Sequence, residues 1–206
     1  MTGIFGNSSR SNSVSDHSPF KQAVGIDDLA VYIPQLYLPL EGEFSRRREI
    51  DPGKLTRGIG IERMAIPDAH EDAATMAAMS LLELMRRCDL LPEDIGKIHI
   101  GTESAVDEAK AIGTYVIGML EKVYGPGSFQ HCSTVEFKSA CIGTTLALES
   151  ISYWVAADEG ERVGVVIASD VAKYPLGSSG EYTQGAGSVS LLVKKNPRIA
   201  ALEQIY

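Results

Sequence analysis

Residues 71–88 place apolar side chains at three- and four-residue spacing: Ala74, Ala77, Leu81, Leu84, Met85 and Cys88. That spacing predicts a helix with one buried side. Asp68, Glu71 and Asp72 gather at its start and Arg86 and Arg87 at its end, each sign on the end the helix dipole favours. A second helix is predicted over 107–123, with Ile112, Val116, Ile117 and Leu120 on one side. Residues 141–157, CIGTTLALESISYWVAA, are apolar nearly all round, the pattern of a helix enclosed in a fold. Between these runs lie strand patterns. VGIDDLAVYIP opens at Val24 and stops at Pro34, LLPEDIGKIHIGTES reads as turn, strand and loop, and 133–138 is STVEFK. The run RVGVVIASD at 162–170 is rich in β-branched residues, as a central strand should be. A Gly/Ser loop at 177–187 leads into SVSLLVKK, and 41–60 is charged, mostly loop or short helix. Strands alternating with helices predict an α/β fold: a mixed, mostly parallel sheet with helices on both faces.

Composition narrows the picture. The 206 residues carry 19 Lys+Arg against 27 Asp+Glu, a net charge of −8, which argues against a general nucleic-acid binder. Three cysteines with no C-x-x-C pair make neither a disulfide framework nor a zinc site, and a reducing, cytoplasmic compartment is expected. His17, His70, His99 and His131 have no ligand spacing, so no metal is expected. No apolar run reaches the roughly 20 residues of a membrane span. Residues 1–20 hold six serines and no apolar signal-peptide core; they read as a disordered tail ahead of one domain over 21–206.

Three features could carry chemistry. Cys141 follows a strand and opens a helix, where the dipole and free N–H groups favour thiolate, making a nucleophile beside amides able to hold an oxyanion. A small core cysteine is the competing reading, and the one adopted for Cys88 and Cys132. Glu103 lies just past a strand end, where ligands collect in open α/β sheets. Partly desolvated there, its carboxyl would be raised in pKa and able to shuttle protons. Helix capping is the alternative, although Asp107 and Glu108 suit that role better. The loop YPLGSSGEYTQGAGSV (174–189) is glycine-rich enough for close approach to a ligand, yet matches neither a P-loop nor a dinucleotide fingerprint.

Taken together, GTESAVDEAK, VEFKSACIGTTLALES, VIASDVAKYPLGSSGEYTQGAGSVSLLV and IDPGKLTRGIGIE resemble the N-terminal half of the 3-hydroxy-3-methylglutaryl-CoA (HMG-CoA) synthase family of the thiolase superfamily, from about Val24 to Leu202. The resemblance implies a thiolase-like fold of two similar halves, of which this chain would be the first. It implies condensation of acetyl-CoA with acetoacetyl-CoA on the mevalonate route to isoprenoids, with CoA thioesters as substrates, no cofactor, and a homodimer at full length. Cys141 matches the nucleophile that takes the acetyl group, and Glu103 the acid/base that removes a methyl proton. Asp51 and Pro52 lie where the family contacts CoA, with Lys54 close by, and Ser178 and Thr183 lie in the loop lining the acyl pocket. Ile142 stands where many relatives have an aromatic residue, and Gly177-Ser178-Ser179 where an Asn is common. The family's carbonyl-polarising His and phosphate-gripping lysines would follow Tyr206. On that ground the 206 residues alone are expected to be a half-domain lacking synthase activity. A related branch acts on carrier-protein-bound β-ketoacyl chains and is the alternative.

Overall fold

The computed structural model describes residues 20–203. The expected tail therefore lies outside the described residues except for Phe20, which is buried and meets the Tyr153 ring edge-on at 5.4 Å. In chain order the elements are β1 Val24–Tyr32, β2 Leu36–Pro39, α1 Ser45–Arg47, β3 Arg63–Ile66, α2 Ala73–Arg87, β4 Ile95–Gly101 and α3 Ile112–Tyr124. They continue with β5 Ser133–Phe137, α4 Gly143–Ala157, β6 Val163–Ala172, β7 Gly185–Lys195 and β8 Ala200–Ala201.

Six strands form one sheet in the order β5-β4-β6-β7-β1-β8. The β5-β4-β6 side is parallel, and β6-β7-β1-β8 is antiparallel. Successive side chains of a strand point to opposite faces. Ile98, Ile100, Val165 and Ile167 accordingly join the core under α2 and α3, while Val166 and Val193 join the core under α4. Helices therefore cover both faces, as expected. A buried hydroxyl cluster, Ser80 to Ser188 at 2.8 Å and to Ser190 at 2.7 Å, locks α2 against β7.

Local chemistry sets the helix starts. Asp72 caps α2: its Oδ1 accepts from the Thr75 amide and the Thr75 hydroxyl accepts from the Asp72 amide, both at 2.8 Å. The second predicted helix begins five residues late. Asp107 Oδ1 accepts from the Ala109 and Lys110 amides, each at 2.8 Å, and so closes a turn of its own. The first amide of α3, Ile112, is met instead by Glu136 Oε2 of β5 at 2.7 Å, so neither Asp107 nor Glu108 is the cap. The α4 pattern suggested burial all round, but Ala147, Ile151 and Val155 are buried while Thr145 and Tyr153 on the other side are exposed. β7 starts at Gly185, inside the predicted loop, because Gly185–Gly187 pair with Ala172–Asp170 of β6. The β2–β3 pair went unpredicted, being four residues a strand.

Two glycines bring α4 to the sheet. A Cβ on Gly101, the last residue of β4, would stand 2.4 Å from the Thr144 amide nitrogen, and one on Gly143 would stand 2.7 Å from the Phe137 carbonyl oxygen. Only residues without a Cβ let the helix start lie directly on the ends of β4 and β5.

Candidate active site

Cys141 sits in the turn between β5 and α4, two residues before the helix begins. Ala140 holds the left-handed region at φ 48°, costing about 1 kcal/mol for a residue with a Cβ. The Gly143 amide donates to the Ala140 carbonyl at 3.0 Å, tightening the turn. Across from it, Glu103 follows β4 in the turn Thr102-Glu103-Ser104. The Cys141 Sγ donates to Glu103 Oε1 at 3.3 Å. The two residues singled out separately in the sequence are thus in direct contact.

The residue that organises this turn is Asp170, near the end of β6. Its Oδ1 accepts from the Thr102 hydroxyl at 3.0 Å, the Glu103 amide at 2.7 Å, the Ser104 amide at 3.1 Å and the Ser104 hydroxyl at 2.8 Å. The Ser104 hydroxyl in turn accepts from the Val171 amide at 2.8 Å. Sequence reasoning missed Asp170. Its only signal was a carboxylate closing an otherwise apolar run, VGVVIAS.

Two electrostatic expectations are corrected. The helix terminus was expected to lower the Cys141 pKa, but the thiol is pushed above its ordinary value, first by its hydrogen bond to Glu103 and then by that carboxylate's charge. A carboxylate in contact outweighs amides that belong to a helix starting two residues on. Glu103 was expected to be partly desolvated, and it is exposed. The carboxylate in contact with the sulfur therefore favours the protonated thiol.

Cys141, Glu103, Ser104, Thr144, Asp170 and Tyr174 are among the residues lining a cavity of about 480 Å³. Asp51, Pro52, Lys54, Ser178 and Thr183 do not line it. Asp51 Oδ1 accepts from the Gly53 amide at 2.9 Å, and Lys54 is exposed at the start of a helical segment, Lys54–Ile59. The Thr183 hydroxyl donates to the Gly180 carbonyl at 2.8 Å, whereas the buried Ser178 Oγ has no hydrogen-bond partner among the described residues. The loop holds these two away from the cavity because it folds on itself. The Gly177 amide donates to Glu181 at 2.7 Å and the Tyr174 amide to Gln184 at 2.8 Å.

The model of the hydroxymethylglutaryl-coenzyme A synthase N-terminal family matches residues 20–198. The chain belongs to this family. It is 41% identical over 187 residues to the hydroxymethylglutaryl-CoA synthase of Haloferax volcanii, covering 89% of this chain and 42% of that protein. A solved structure of MvaS in complex with 3-hydroxy-3-methylglutaryl coenzyme A superposes with a TM-score of 0.77 at 36% identity, over 86% of this chain and 41% of that one. The curacin-pathway HMG synthase in complex with holo donor-ACP superposes with a TM-score of 0.75 at 26% identity, over 88% of this chain and 43% of that one. The chain spans less than half the length of these HMG-CoA synthase relatives, and its fold is the N-terminal part of theirs. Among the described residues no helix is long and apolar enough to cross a membrane.

Proposed function

We propose that the chain carries the acyl-accepting part of an HMG-CoA synthase site, within a protein that condenses acetyl-CoA with acetoacetyl-CoA. The observation that carries this reading is the Cys141–Glu103 contact, a nucleophile and a carboxylate 3.3 Å apart at the wall of one cavity. In the first step the Cys141 sulfur attacks the acetyl carbonyl, its proton passing to Glu103 and on to the departing CoA thiolate. That leaves acetyl-Cys141 and free CoA. Glu103, a carboxylate again, takes a proton from the acetyl methyl. The resulting carbon nucleophile adds to the ketone of acetoacetyl-CoA, and the new alkoxide takes up a proton, balanced by release of the one that Glu103 removed from the methyl. Water then cleaves the Cys141 thioester, so the former acetyl group becomes the free carboxylate of HMG-CoA and the thiol is restored.

Glu103 serves as base twice in this sequence, first toward sulfur and then toward carbon, and its contact with Cys141 at the cavity wall puts both within reach. Placement on the mevalonate route, a homodimer, a cytoplasmic setting and CoA contacts from Asp51, Pro52 and Lys54 belong to the same reading. So do the acyl-pocket roles of Ser178 and Thr183. Incubation of the purified chain with radiolabelled acetyl-CoA tests it. The expected outcome is one acetyl group on Cys141, located by peptide mass spectrometry and absent in Cys141→Ala. Label on another residue, or none, overturns the reading. The carrier-protein branch is separated by offering acetoacetyl-CoA and acetoacetyl-carrier protein to the acetylated chain joined by the remaining part of the enzyme. Turnover of the carrier-bound substrate alone would favour that branch.

A further inference from the structure

The glycine-rich loop and the segment that holds Asp51, Pro52 and Lys54 are joined by a half-buried ion pair that neither the motifs nor the proposed chemistry uses. Arg48 reaches across 133 positions of sequence to Glu181. Its Nε donates to Oε2 at 2.8 Å and its Nη2 to Oε1 at 2.6 Å, the paired fork that fixes orientation as well as distance. The Glu181 side chain is 3% exposed, and its Oε2 also accepts from the Gly177 amide at 2.7 Å. Beside the pair, the Phe44 ring meets Tyr182 edge-on at 6.5 Å, and the Arg48 guanidinium lies 5.7 Å from the Phe44 ring.

Stability alone gives little reason for this arrangement. Leu40, Phe44, Leu55 and Met64 already form a local core with Ile50, Ile61 and Tyr182 packed on it. An ion pair with one buried partner contributes little net stability beyond such packing, since the cost of desolvating Glu181 offsets much of the attraction. What a fork adds is geometry. One end of the bridged loop, at Lys173 and Tyr174, lines the Cys141 cavity; the other side of the bridge runs directly into Asp51–Lys54.

We propose that Arg48 and Glu181 are a positioning pair, which sets the distance between the cavity where an acyl group reacts and the segment where the carrier portion of its CoA thioester is held. This rests on the acyl-transfer reading above and adds to it a device that measures the length of the substrate. Neither side chain touches the reacting atoms. The pair acts through the loop and the segment it joins. Its loss should be felt by a thioester long enough to span both, and not by a short one.

The test compares Cys141 acetylation by acetyl-CoA with that by the acetyl thioester of N-acetylcysteamine, which lacks the nucleotide, in the full chain. Glu181→Gln keeps the acceptor for Gly177 but removes the charge, and Arg48→Lys keeps the charge but removes the fork. Each variant is expected to raise the half-saturating acetyl-CoA concentration on the order of tenfold with the maximal rate held, the pattern of binding lost equally from ground state and transition state. The short thioester should react as with the unaltered chain when each variant is assayed well below its own melting temperature, which is expected to fall for Glu181→Gln because Arg48 loses its partner. Equal losses with both thioesters overturn the proposal in favour of general support of the cavity, and no change with either overturns it outright. An unaltered chain that neither thioester acetylates overturns the acyl-transfer reading and this proposal with it, whereas normal acetylation with insensitive variants overturns only the positioning role.

Discussion

Two cysteines flank the same strand, and both thiols are harder to ionise than usual, for opposite reasons. Cys132, just before β5, is packed against the α2–α3 core, and burial pushes its thiol up to about 12. Cys141, just after β5, is exposed, and the Glu103 carboxylate is what raises it. Desolvation is permanent in the folded state, whereas a carboxylate's effect vanishes once it accepts a proton or loses its charge. The first thiol is silent and the second is held in reserve. A pKa direction by itself would not tell them apart; its cause does.

The largest expected effect breaks the comparison at its reactive end. Cys141→Ala should reduce acetyl uptake on the order of a thousandfold, to background, while Cys132→Ala leaves it intact; peptide mass spectrometry reads both. Next, Glu103→Gln removes the charge that holds the proton on sulfur. Iodoacetamide alkylation of Cys141 at neutral pH should then rise roughly fivefold and Cys132 should be unmoved, even though condensation is lost with the base. An unchanged Cys141 rate in that variant would show that the helix start, and not the carboxylate, governs the thiol, and a slower one that Glu103 assists its ionisation. Asp170→Asn should sharpen the same point at a distance. With a weaker acceptor for four donors the turn carrying Glu103 loosens, and the alkylation pH profile of Cys141 should shift roughly halfway toward that of Glu103→Gln.

The smallest effect concerns burial, through His99 on β4. Its ring is 4% exposed and tilts against Phe137, and burial, aided by the Lys97 charge, pushes its pKa down to about 4 from an ordinary 6.5. The folded state thus disfavours the proton that the unfolded chain binds. Stability from this source is whole above pH 6.5 and is lost as pH falls toward 4. Urea unfolding of His99→Gln across that range should give a flatter curve. Identical slopes would remove His99 from the account.

Much of this was legible beforehand. The three-to-four spacing and acid-to-base order of 71–88 gave α2 nearly to the residue, since cap, dipole and buried stripe agree. Cys141 and Glu103 were each readable as strand-end residues, but their contact depends on Gly101 and Gly143 admitting the helix start, which no local pattern reports. The start of α3 was misplaced because its cap, Glu136, comes from another element. Asp170 and the Arg48–Glu181 bridge were invisible for the same reason: their partners lie 66 to 68 and 133 positions away. Propensity and spacing describe neighbours along the chain, and these residues answer to neighbours across it.

The pairing of β1 with β7 has a consequence for the timing of folding. Val24 lies opposite Lys195, so the first strand of the sheet waits for nearly the last. At a synthesis rate of ~5–20 residues per second, β1 spends on the order of ten to thirty seconds without its partner after it leaves the ribosome. Pairings this distant in sequence make for slow, late closure. In that interval Leu29, Val31 and their unpaired backbone form an open strand edge that other chains could join. A nascent chain of this family should lean on chaperones until β7 emerges.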